Sequence, residues 1–84
     1  MDKDVIVKHY KEYLKIELNA VKQIFNNPIS MICDANEIYS QTIKRVVGVS
    51  TFVQDSGVDY FVIDFWYEKF KIKLSKLLDE RKQI

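Results

Sequence analysis

The chain has 84 residues, of which 48% are hydrophobic and 30% are charged. This composition is typical of a single folded domain, 1–84, and excludes an intrinsically disordered chain. Thirteen basic residues against twelve acidic ones leave a net charge of +1, so the overall charge points neither to nucleic acid nor to a membrane as a partner.

The first predicted elements are two helices. One runs from about Lys3 to Phe25, because its apolar residues recur at steps of three and four and Pro28 follows. A weaker pattern of the same period predicts a second helix from about Ile29 to Lys44. The sole cysteine, Cys33, falls in this second helix, where we expect it to be a small buried residue.

Residues 45–67 favour a β-hairpin. The stretch from Val46 to Val53 is rich in β-branched residues and has no charge, residues 54–57 have the composition of a turn, and residues 58–67 are again β-branched and aromatic. A C-terminal helix from about Glu68 to Lys82 would follow. The predicted fold class is therefore α+β, with two N-terminal helices, a β-hairpin and a C-terminal helix.

An all-α three-helix bundle is the alternative. Ser56 and Asp59 have the spacing of a loose capping box, which would start a helix running from Gly57 to Arg81. The apolar stripe of such a helix shifts near residues 66–68, and a strand that ends there explains the shift better. We therefore favour the hairpin.

The segment 59–70, DYFVIDFWYEKF, holds six of the eleven aromatic residues. On a strand, Phe61 and Phe65 face the core, whereas Tyr60, Val62, Asp64 and Trp66 share the opposite face. Aromatic residues beside a charge are typical of binding hot spots. The other interpretation is that the first helix covers this face and makes it core.

The favoured function is a small non-enzymatic regulator or inhibitor that occludes a partner protein. Its predicted protein-binding residues are Tyr60, Val62, Asp64, Trp66, Lys69 and Lys73. The chain has eleven lysines, two arginines and ten isoleucines, a bias that AT-rich codons produce and that is typical of low-GC bacteria and their phages. A small domain with surplus aromatic residues is also compatible with a homodimer.

Residues 40–54 suggest a different function. The step Val47-Gly48-Val49-Ser50 resembles the turn of a helix-turn-helix unit, which implies a DNA-binding transcriptional regulator. Lys44 and Gln54 depart from that pattern at positions where the family has a small and an aliphatic residue. No Lys or Arg lies between Gly48 and Gly57, so nucleic acid is the less favoured partner.

No residues in the sequence have the spacing of a catalytic, metal or cofactor site. His9 is the sole histidine and has no cysteine nearby, and the carboxylates match no calcium loop or acid–base pair. We expect no enzyme activity, cofactor or bound metal. The chain also lacks an apolar run typical of a signal peptide or a membrane span, which together with a single cysteine predicts a cytoplasmic protein.

Overall fold

A computed structural model describes residues 2–27 and 34–82 of the chain. They form three helices: α1 (Lys3–Asn26), α2 (Ala35–Asp55) and α3 (Tyr60–Lys82). Each helix packs against both others, with α2 antiparallel to α1 and α3 in a bundle of 42 × 18 × 15 Å. The predicted α+β class is therefore wrong, and the three-helix alternative describes the fold.

An aspartate begins each helix. Its Oδ1 atom accepts a hydrogen bond from the backbone N–H two residues later, with Asp2 capping α1, Asp34 capping α2 and Asp59 capping α3. A carboxylate here also interacts favourably with the helix dipole. The α2–α3 turn depends on Gly57, whose φ of +98° is strained for residues with a side chain.

The core is apolar and continuous along the bundle. Leu74 and Val46 are fully buried at its centre. Around them pack the other buried apolar residues: Tyr10, Leu14, Val21, Phe25, Val53, Val58, Ile63 and Phe70. Because α1, α2 and α3 each contribute to this one cluster, the three helices stabilise one another.

The predicted hairpin at 45–67 is absent, and residues 35–55 form one uninterrupted helix. β-branched residues lower helix propensity by less than about 1 kcal/mol each, whereas burying a valine side chain contributes roughly 1.5–3 kcal/mol. Val46 and Val53, two helical turns apart, gain that burial on one face of α2. The hydroxyls of Ser50 and Thr51 donate to the carbonyls of Val46 and Val47, so the helix also satisfies its polar residues.

The same helix removes the geometry of a helix-turn-helix unit. Gly48 lies inside α2 with no turn on either side, and a Cβ atom added there would contact no atom beyond the adjacent backbone of its own helix. Residues 40–54 therefore supply neither two helices nor the turn that the motif needs.

Phe61 and Phe65 were predicted to fill the core, and this was wrong. Their side chains are 79% and 52% exposed, whereas the neighbouring Ile63 is 6% exposed. On a strand all three would share a face, but a helix places residues two apart on different sides. The core side of α3 instead follows Ile63, Phe70 and Leu74.

The predicted start of the second helix at Ile29 and the predicted burial of Cys33 lie outside the described residues.

Candidate functional site

Trp66 occupies the seam between α1 and α3. It is the only tryptophan of the chain and is half-buried against the core. The Nζ atom of Lys11, from α1, lies 4.2 Å from the centre of the indole ring, and that of Lys69 lies 5.3 Å from it. Cations over an indole face are attracted by its quadrupole. Trp66 thus joins the apolar floor of the seam to a positively charged rim.

Lysines from both helices line this seam. Around Trp66 a notch of about 110 Å³ has Leu14, Leu18 and Phe70 in its walls and four lysines at its edge. Further along, a second depression of about 290 Å³ continues between the same helices with three lysines, one shared with the notch, and with Glu80 as its carboxylate. We call the six lysines the lysine seam: Lys11, Lys15, Lys22, Lys69, Lys73 and Lys76.

The lysines of the seam form no ion pair with another described side chain. Among the described residues, the side-chain ion pairs are His9–Glu12, Arg45–Glu17 and Lys71–Glu68, and none involves a seam lysine. With six lysines and Glu80 here, the rest of the chain holds seven basic residues against eleven acidic ones. A chain with almost no net charge therefore carries one strongly positive surface, which attracts anionic groups.

The structure separates the predicted binding residues into two groups. Trp66, Lys69 and Lys73 line the notch beside α1, and Val62 lies about one helical turn before Trp66 on the same side of α3. Tyr60 and Asp64 lie on the side that faces α2, where they line a depression of about 190 Å³ beside Ser50. The grouping based on a strand fails because the period of α3 is 3.6 and not 2.

Sequence reasoning missed the contribution of α1 to this site. Lys11, Lys15 and Lys22 recur at steps of four and seven, which places them on one side of a helix next to the apolar stripe. That spacing could have been read from the sequence. Their convergence with Lys69 and Lys73 could not, because it requires α1 and α3 to be parallel neighbours.

A polar cluster joins α1 to α2 on the opposite side of the bundle. Glu17 is buried and accepts hydrogen bonds from the Tyr13 hydroxyl at 2.9 Å and from Arg45 Nε at 3.0 Å. Arg45 Nη2 also donates to the hydroxyl of Thr42, which donates to the Ile38 carbonyl. Every charge in the cluster has a partner, so it fixes how α1 and α2 align and is not free for a ligand.

This cluster makes stability depend on pH. Burial, and then the hydrogen bond to Glu17, raise the pKa of Tyr13 from 10.0 to about 12. Because the folded pKa lies above the unfolded one, this contribution is fully present below pH 10 and is lost as the pH rises through 12. We expect Tyr13→Phe to lose less stability than wild type between these values in denaturant titrations. Tyr60→Phe, which removes an exposed phenol, is the control, and a Tyr13→Phe profile that matches wild type would contradict this.

A second, larger groove lies between α1 and α2. It has a volume of about 580 Å³ and is lined mainly by apolar and aromatic side chains, among them Ile6, Tyr13 and Phe52. Phe52 is 71% exposed at its edge. The phenol of Tyr10 donates to Ser50, whose own hydrogen is used on the Val46 carbonyl. The groove can hold apolar groups, and among the residues that line it only His9 can carry a positive charge.

The described residues show no arrangement for metal or membrane chemistry. They contain no cluster of three His, Cys, Asp or Glu side chains able to hold a metal ion, and His9 has Glu12 at 3.9 Å. None of the three helices as described is long and apolar enough to cross a membrane.

No protein-family model, curated protein or solved structure matches the chain.

Proposed function

We propose that this chain is a small protein-binding module that acts by occluding a partner protein and not by chemistry. It binds an acidic, amphipathic segment of that partner along the lysine seam. The observation that carries this proposal is the group of six lysines along the α1–α3 seam, which form no ion pair with another described side chain. Four of them surround the apolar notch that contains the only tryptophan. Trp66, Lys69, Lys73 and Val62 remain in the binding surface, and Lys11 and Lys15 join it.

The chemistry of the seam favours an acidic protein segment over nucleic acid. The notch is walled by Leu14, Leu18 and Phe70, which offer contact to an aliphatic side chain but no hydrogen bond. A helix with one apolar and one acidic side can place its apolar side chains in the notch and its carboxylates beside the lysines. Arginine is the residue best suited to bidentate phosphate recognition, but the basic residues around the notch and the depression are all lysines. Arg45 is bound to Glu17 on another surface, and Arg81 lies beyond the depression, beside Lys22 and Glu80.

This proposal can be tested by selecting peptides that bind the chain from a displayed random peptide library. We expect the enriched peptides to be acidic, with apolar residues at helical spacing, and to be lost when Lys69 and Lys73 are replaced by glutamate. Enrichment of neutral or basic peptides, or of none, would contradict it. A single-stranded oligonucleotide is added as competitor, and displacement of the peptides by it at physiological salt would favour nucleic acid as the partner.

A further inference from the structure

The side of α3 that points away from the bundle is apolar and uncovered. Phe61, Phe65 and Ile72 lie on it, and their side chains are 79%, 52% and 67% exposed. The steps from Phe61 to Phe65, then to Glu68 and then to Ile72, are four, three and four residues, which is the spacing of the contact positions in a coiled coil. The row lies opposite the core residues Ile63 and Leu74, and the Nζ atom of Lys69 lies 4.6 Å from the centre of the Phe65 ring. Three large exposed apolar side chains in one row on a helix are typical of an interface.

We propose that this face is the interface of a homodimer, in which α3 of a second copy packs against it in the antiparallel direction. Lys69 and Lys76 of the lysine seam lie at the edge of this face, but its apolar row lies outside the notch and the depression of the seam, so the inference goes beyond the proposed function. The two copies are related by a two-fold axis, so each copy contributes the same surface to the interface.

The charge distribution along α3 identifies the occupant as a second copy. The acidic residues at and near its start are Asp59, Asp64 and Glu68, and the central part carries Lys69, Lys71, Lys73 and Lys76. In an antiparallel pair the acidic part of each helix therefore lies beside the basic part of the other. A parallel pair would place like charges together, which disfavours it.

The same arrangement matches the apolar side chains. An axis that passes between Glu68 and Lys69 places Phe65 of each copy beside Ile72 of the other. Phe61 then meets the aliphatic stem of Lys76, which can cover a ring while its ammonium stays in water. Each of the three apolar residues then has a contact in the other copy, and Glu68, the charged residue of the row, has the Nζ atom of Lys71 on its own helix at 3.9 Å.

The contact that this row offers is small. Its three side chains expose on the order of 400 Å² of apolar surface, about half of what one partner buries in an interface of standard size. With no deep pocket at its centre, the contact is expected to have a dissociation constant in the micromolar range.

Sedimentation velocity of the full chain, from low micromolar to millimolar concentration, tests the inference. We expect a mass that rises to twice the 10.0 kDa of one chain. Ile72→Glu should remain monomeric over the whole range. Ile16→Glu is the matched control, because Ile16 is 66% exposed on α1, and it should dimerise as wild type does.

Far-UV circular dichroism confirms that both variants keep their helices, as expected for substitutions at exposed positions. A wild-type chain that stays monomeric at millimolar concentration would overturn the inference. So would dimerisation that survives Ile72→Glu, or that is lost only in Ile16→Glu, because either result would place the interface elsewhere. Loss of helicity in Ile72→Glu would also overturn it, since it would mean that Ile72 belongs to the core.

Discussion

Truncation of Ile63 to alanine is expected to lower the free energy of unfolding by about 2–5 kcal/mol. The side chain is 6% exposed and packs in the core between the three helices, so its removal leaves a cavity. Phe61→Ala should change stability by no more than about 0.5 kcal/mol, although it removes a larger side chain, because Phe61 is 79% exposed.

Denaturant unfolding at concentrations where the chain is monomeric measures both values. The two variants distinguish a helix from a strand in this segment, because residues 61 and 63 share one face of a strand but lie on different sides of a helix. Equal losses in the two variants would contradict the helical assignment of α3.

Reversal of charge at Lys69 and Lys73 has the second large expected effect. The Lys69→Glu/Lys73→Glu double variant should bind the selected acidic peptides roughly tenfold to a hundredfold more weakly. Each replacement removes an attraction of about 0.2–1 kcal/mol and adds a repulsion of similar size. The effect should shrink at high salt, because the rim is exposed and screened.

A matched variant controls for the change in net charge. Lys3→Glu/Lys44→Glu alters the total charge equally at two exposed lysines away from the seam, and should bind the peptides nearly as wild type does. If both double variants lose affinity equally, the attraction comes from net charge and not from the lysine seam.

The period of the apolar residues decided which parts of the fold could be predicted. The stripe of Tyr10, Leu14, Val21 and Phe25 recurs at nearly regular helical steps, and α1 agrees with the helix predicted from it. In α3 the pattern misled, because Phe61, Phe65 and Ile72 add a second apolar row opposite the core row. Two opposed rows on a helix imitate the alternation of a strand over a short segment.

Local composition misled in α2 for a different reason. The run from Val46 to Val53 has strand propensity, but burial of Val46 and Val53 outweighs the small local cost of β-branched residues in a helix. The site shows a similar limit. Trp66, Lys69 and Lys73 could be selected from one segment of sequence, whereas Lys11 and Lys15 joined them only when the packing of α1 beside α3 was known.

The most direct test of the lysine seam as a binding site is the emission of Trp66 during titration with a selected acidic peptide that lacks tryptophan. Because Trp66 is the only tryptophan and lies in the notch, its emission reports on that place alone. We predict a saturable change in wild type and in Lys3→Glu/Lys44→Glu, with a much weaker affinity in Lys69→Glu/Lys73→Glu. Peptide binding that leaves the Trp66 emission unchanged, or that is equally tight in all three proteins, would contradict this account.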